Sequence, residues 1–136
     1  MCLYSAKTKR LKKNLEKRTY GYKIFRRRHD YNTQTETKLS FQYQYCYEEL
    51  RYNRWYEDTS SFLLDYNLYG ETYPTGYHVY TNKKDALKRL SWLGFHNLEV
   101  HKVQIKDIVA IGEQHNVDVI VCKQMLIEKE VIKWKM

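Results

Sequence analysis

The chain has 136 residues, with 24 Lys and Arg against 16 Asp and Glu, a net charge of +8, and fourteen tyrosines. That length suits one domain, which can bury about two thirds of its unfolded surface and so needs neither metal nor disulfide support. Three cysteines without CxxC spacing exclude a disulfide framework and a structural zinc site, and no apolar run approaches the ~18 residues of a membrane span.

The positive charge is concentrated at one end. Residues 1–29 hold eleven bases against one acid, Glu16, while the rest of the chain carries thirteen bases and fifteen acids. Residues 1–18 read as a basic arm that includes Lys9, Arg10, Lys12 and Lys13. Ala6, Leu11 and Leu15 would line one stripe of a Thr8–Arg18 helix, too thin to hold it without a surface to dock on. No apolar segment follows the charges, so the arm does not read as a secretory signal, and the expected compartment is a reducing cytoplasm.

Residues 19–136 read as a single α+β domain. Tyr20, Tyr22 and Ile24 alternate with Gly21, Lys23 and Phe25, a strand that ends in Arg26, Arg27 and Arg28. Lys38–Glu48 puts Leu39, Phe41, Tyr43, Tyr45 and Tyr47 on one face, and it should pair with the first strand as a long hairpin. Residues 49–76 mix aromatics and acids without a clear period. Phe62-Leu63-Leu64 should be buried there, and Gly70 and Pro74-Thr75-Gly76 mark turns. Tyr77–Tyr80 is a short strand. Asn82–Leu93 is the main helix, capped by Thr81 or Asn82, with Asp85 in its first turn, an Ala86/Leu87/Leu90/Leu93 stripe, and Gly94 to end it. Leu98–Ile105, Asp107–Gly112, Val117–Cys122 and Gln124–Lys133 read as further strands, the last with a possible bulge. The expected architecture is a twisted antiparallel sheet with one helix packed on it.

A cationic cluster draws anionic partners. Arg26, Arg27 and Arg28, held on a strand, suit phosphate or carboxylate, and Tyr20, Tyr22 and Tyr31 could stack on bases. Arg51-Tyr52-Asn53-Arg54-Trp55-Tyr56 combines the residue types that anchor interfaces, with Arg51, Arg54, Trp55 and Tyr56 as its contacts. The bland alternatives are a solubilising tail for the arm and a packed core for the tyrosines. None of the five histidines makes HxxxH, HxH or HExxH, so no metal site is expected, and His78 reads as a hydrogen-bonded structural residue. Paired carboxylates, a nucleophile elbow and a Gly-rich phosphate loop are missing from the sequence. The expectation is a non-enzymatic protein without cofactor.

The Met1-Cys2-Leu3 start, the Tyr22-Lys23-Ile24 strand, Gly76-Tyr77-His78-Val79-Tyr80 running into Lys83–Leu90, and Val100–Ile105 resemble a set of small uncharacterised bacteriophage accessory proteins. The resemblance covers about half of the chain and leaves out the basic arm and the Tyr-rich hairpin. It implies a host-defence inhibitor of the anti-CRISPR type, acting in the bacterial cytosol. Such a protein would bind a bacterial defence protein or ribonucleoprotein by competition or nucleic-acid mimicry, with RNA or DNA itself as a further candidate partner and no membrane partner. It supplies no catalytic residues. A direct nucleic-acid-binding protein is the alternative. A second resemblance, to ADP-ribosyltransferase folds, rests on Tyr77–Tyr80, Ala86 and Glu128 and would make Glu128 catalytic, but no nicotinamide-binding His or Arg stands upstream.

Overall fold

The computed structural model of the chain describes residues 5–6, 17–29, 37–41, 49–60, 63–65, 72–94, 97–114 and 116–133. Among the described residues the elements are β1 (Ser5–Ala6), β2 (Tyr20–His29), β3 (Thr37–Phe41), β4 (Trp55–Glu57), β5 (Leu63–Asp65), β6 (Thr72–Pro74), β7 (Tyr77–Tyr80), α1 (Lys83–Leu93), β8 (Leu98–Gln114) and β9 (Val117–Ile132). Every strand pair among the described residues is antiparallel, so they form a sheet-dominated α+β fold with one described helix. The expected Thr8–Arg18 helix with Lys9, Arg10, Lys12 and Lys13 falls outside the described residues, except that Lys17 lies in a turn and Arg18 in irregular chain. Residues 42–48 of the Tyr-rich strand also fall outside, as does the burial expected of Phe62-Leu63-Leu64. No helix among the described residues is long and apolar enough to cross a membrane.

The sheet bends round on itself. β8 pairs with β2, β2 with β7, β7 with β9, and β9 again with β8, which closes a circuit of four strands. The seam is narrow, because β2 and β7 share one register pair, Tyr22 with Tyr80. Gly21 permits that approach: a Cβ there would sit 2.3 Å from Val79 Cγ1 and 2.7 Å from Tyr80 O. Alternation then sorts the apolar residues onto two faces. Phe25, Val79, Val103, Ile105, Ile120, Cys122, Met125 and Ile127 form one buried cluster inside the curl. Ile24, Tyr73, Tyr80, Val100, Ala110, Val119 and Val121 form a second on the outside, and α1 covers it with Ala86 and Leu87.

The helix obeys its sequence signals. Asn82 Oδ1 accepts from the Asp85 N–H at 2.9 Å, and Gly94, at φ 61°, donates to Leu90 O. β2 and β3 form the expected hairpin, from Phe25↔Phe41 to His29↔Thr37.

The C-terminal third departs from expectation. The four strands expected there are two, a single long hairpin from Leu98 to Ile132 whose tight turn has Asn116 at φ 66°. The alternating pattern breaks at Asp107 and Lys123 because the strands bend there without ending. Asp107 takes φ 57°, and the register shifts between Ile108 and Ala110. These irregularities let Ile105, Ile108 and Ile111 all reach the inner cluster. A second register shift opposes His101/Val103 to Val131/Ile127, the bulge expected near the end of the chain.

Candidate nucleic-acid interface

The outer face of β2, β8, β9 and β4 carries an aligned row of side chains. Tyr20 stands opposite Gln104, Gln104 opposite Leu126, and Leu126 opposite Trp55. Tyr20 is 38% exposed and Trp55 37%, which leaves the two rings at the row's ends open to solvent. Three strand spacings separate them, about 14 Å. Each ring has a lysine set diagonally against it. Lys102 Nζ lies 4.7 Å from the Tyr20 ring centre and Lys106 Nζ 4.0 Å from that of Trp55. The Arg18 guanidinium also lies 4.7 Å from the Tyr20 ring, and its Nε donates to Tyr20 O at 2.9 Å. Tyr22 meets Tyr20 edge-on at 6.2 Å. Of the acids on this face, Glu128 stands 3.9 Å from Lys102 and Asp107 accepts from Gln124 Nε2 at 2.6 Å, while Glu57, two residues from Trp55 on β4, is exposed.

The turn before β4 sets the end of the row. Asn53 takes φ 59° and its N–H bonds Ile127 O at 2.8 Å, which anchors the turn on β9. Arg51, Arg54 and Trp55 are exposed around it, with the Arg54 guanidinium 6.0 Å from the Tyr56 ring. Tyr56 faces the other way. It packs on the inner cluster, and its hydroxyl accepts from the Arg51 N–H at 2.7 Å.

The arginine run is split between faces. Arg27 points inward and grips Glu99 with two bonds, Nε to Oε1 at 2.9 Å and Nη2 to Oε2 at 2.7 Å, while Nη2 also donates to the Tyr52 hydroxyl at 2.6 Å. Arg26 alternates to the opposite face, where its Nε is buried without a hydrogen-bond partner among the described residues. Arg28 pairs with Lys38 in the β2–β3 ladder. Glu99 also receives His101 Nε2 at 2.5 Å, and His101 Nδ1 donates to Glu128 O at 2.8 Å. The bulge in β9 frees that carbonyl. Burial pushes the Glu99 carboxyl up, but hydrogen bonds from Arg27 and His101 outweigh it and hold the group below the usual range. The Arg27 guanidinium is raised further, chiefly by its bond to Glu99. With every member partnered, this network reads as a strut of the inner cluster rather than a free cationic site.

A third group sits where β2 meets β7. Lys23 is half-buried, and its Nζ donates to His78 O at 2.8 Å, 5.9 Å from the Phe41 ring. Burial lowers its pKa to about 8, partly offset by Cys122. The Cys122 thiol is itself pushed up to about 12 by burial. His78 lies on the outer face, where its Nε2 meets the Tyr73 hydroxyl at 3.0 Å, and burial followed by the Lys23 charge lowers its pKa to about 3. No group of three or more His, Cys, Asp or Glu among the described residues is placed to hold a metal.

Of the residues singled out in the sequence, the structure brings Trp55, Arg51 and Arg54 to one exposed corner and Tyr20 to the opposite end of the same face. Lys102, Gln104 and Lys106 were not singled out. Their signal was present as polar residues alternating with Val103 and Ile105, the mark of a solvated face on a half-buried strand. Glu128 lies beside Lys102 on this face, half-buried. Comparison of the chain with known protein families, with curated proteins and with solved structures finds no match.

Proposed function

We propose that the protein binds single-stranded nucleic acid across the outer face of β2, β8, β9 and β4 and performs no chemistry on it. The reading rests on the Tyr20–Gln104–Leu126–Trp55 row, an open aromatic at each end with a lysine beside it. Bases stack on rings whatever their sequence, at about 1–3 kcal/mol each, while nearby cations meet the phosphates. The ~14 Å between the rings corresponds to about four nucleotide steps at ~3.4 Å each. On binding, Lys102 and Lys106 exchange their ring contacts for phosphates. Gln104, at the centre of the row, offers hydrogen bonds to base edges. Inhibition of a bacterial defence ribonucleoprotein, which the phage resemblance implies, would then act by taking the strand that the complex needs.

Anisotropy titrations with labelled single-stranded and duplex oligonucleotides over a salt series test this. The expected result is preference for the single strand, a linear log–log salt dependence, and weakening by about tenfold or more for Trp55→Ala and for Tyr20→Ala. Equal binding of duplex and single strand, or a Tyr20→Ala/Trp55→Ala double variant that binds like the parent, would overturn the reading.

A further inference from the structure

Away from that face, a hollow of about 370 Å³ opens between α1 and the β8–β9 turn. Its volume lies in the range that takes small ligands. Asp85, Lys88, Arg89 and Trp92 stand at i, i+3, i+4 and i+7 of α1, so one helix stripe forms its wall, and Tyr80, Asn116 and Val117 complete it. The stripe is unusual in two ways. Trp92 is 77% exposed, far more than Trp55 or Tyr20, so its indole contributes little to the fold. The Arg89 Nε is buried yet has no hydrogen-bond partner among the described residues, which leaves a donor stripped of water and unpaid.

The wall combines three chemistries. Trp92 offers a flat apolar face. Lys88 and Arg89 offer cations, and Arg89 adds a planar fork suited to phosphate. Asp85 and Asn116 offer acceptors for hydroxyl or amino groups. One Asp85 oxygen, Oδ2, already receives Asn82 Nδ2 at 2.8 Å, which fixes the carboxylate in place. Asn116, at φ 66°, is set by the turn that carries it.

We propose that this hollow binds a nucleoside monophosphate, with the base on Trp92, the phosphate on Lys88 and Arg89, and the sugar hydroxyls or base edge on Asp85 and Asn116. A simple anion would leave the indole unused, and an uncharged ring would leave the Lys88 and Arg89 cations that line the hollow unmet. A mononucleotide uses all three features. The ligand can be a free nucleotide or the phosphorylated end of a strand, since both present a base next to a phosphate. The hollow shares no residue with the Tyr20–Trp55 row, so the two sites can fail separately.

The test is a titration of the full chain with AMP, adenosine, ribose 5-phosphate and a short 5′-phosphorylated oligonucleotide, read by calorimetry and by indole fluorescence. AMP should bind with sub-millimolar affinity and quench the indole signal, and adenosine and ribose 5-phosphate should each bind at least about tenfold more weakly. Arg89→Ala and Trp92→Ala should each weaken AMP by about tenfold or more, with Arg89→Lys recovering part of the loss. Trp92→Phe should keep AMP binding while abolishing the quench, and Tyr20→Ala/Trp55→Ala should leave AMP binding unchanged. In the Tyr20→Ala/Trp55→Ala chain, whose outer row is disabled, tighter binding of the phosphorylated oligonucleotide than of AMP would identify the strand end as the source, and the reverse would identify the free nucleotide. No AMP binding at about 1 mM, adenosine binding as tightly as AMP, or indifference to Arg89→Ala and Trp92→Ala in chains that melt like the parent would overturn the assignment.

Discussion

Lys23 and His78 sit next to each other at the seam on opposite faces of the sheet, and burial pulls both toward the neutral form. His78 falls from 6.5 to about 3 and Lys23 from 10.5 to about 8. For both, the unfolded chain holds the proton more tightly than the folded one, so stability rises with pH through each window. Stability should therefore fall as pH drops from 6.5 toward 3, and it should rise between pH 8 and 10.5 as Lys23 sheds its charge in the folded chain. Lys23→Met keeps the length of the side chain and removes the charge. It should raise stability at pH 7 by about 1–3 kcal/mol and erase the alkaline rise, as urea unfolding at a series of pH values would reveal. Glu99 behaves differently, because its partners favour the charged form. With Arg27 24% and Glu99 15% exposed, the pair is far from a surface ion pair. Glu99→Gln leaves the Arg27 guanidinium facing a neutral amide and should cost about 3 kcal/mol, seen as a lower urea midpoint at unchanged slope. Glu99 also deepens the acid loss, since a carboxyl held below its ordinary value gives up its stabilisation as pH falls through the folded pKa.

The closed circuit depends on how near two strands can come, and Gly21 sets that distance. Val79 is fully buried and cannot yield to a Cβ placed 2.3 Å from its Cγ1. Gly21→Ala should therefore cost about 1–3 kcal/mol or more by overpacking, with increased hydrogen exchange at β7 as the local sign. A drop of less than about 0.5 kcal/mol would mean the seam opens freely. The contrast between α1 and the long hairpin shows which signals the sequence carries openly. The Asn82 cap, Asp85, the leucine stripe and Gly94 are local chemistry, so the helix is legible to within a residue. The run from Leu98 to Ile132 breaks its alternation at Asp107 and Lys123, where the strands bend around the inner cluster, and a periodicity reading splits each strand in two. Closure of β2 onto β7 is a long-range fact with no local marker except a glycine. The Tyr20–Trp55 row was half legible for the same reason: exposed rings and lysines are visible in the sequence, but their alignment comes from register across four strands.

At the scale of the whole molecule, the charge surplus and the barrel are separable. The circuit of β8, β2, β7 and β9 does not include β1, whose two residues pair with Glu113 and Gly112 of β8. Within the circuit the early cations are spent on structure, Lys23 on His78 O and Arg27 on Glu99. What remains to attract a polyanion is the arm, Arg18, the outer lysines Lys102 and Lys106, and the exposed Arg51 and Arg54 beside Trp55. Deleting residues 1–16 removes Lys7, Lys9, Arg10, Lys12 and Lys13 together with Glu16. If the arm follows a bound strand, each phosphate contact it loses should lower the log–log salt slope by about 0.7, up to about 3.5 for all five cations. The rings lie outside the deleted segment, so the preference for single strands should persist at low salt. Thermal unfolding should stay cooperative, with the midpoint lowered by no more than about 5 °C, because neither Ser5 nor Ala6 of β1 belongs to the inner cluster. An unchanged slope would show that the arm never touches the strand and that cations of the described face (Arg18, Arg51, Arg54, Lys102 and Lys106) carry the attraction. Loss of cooperative unfolding would show instead that β1 and the segment behind it hold the end of β8 in place.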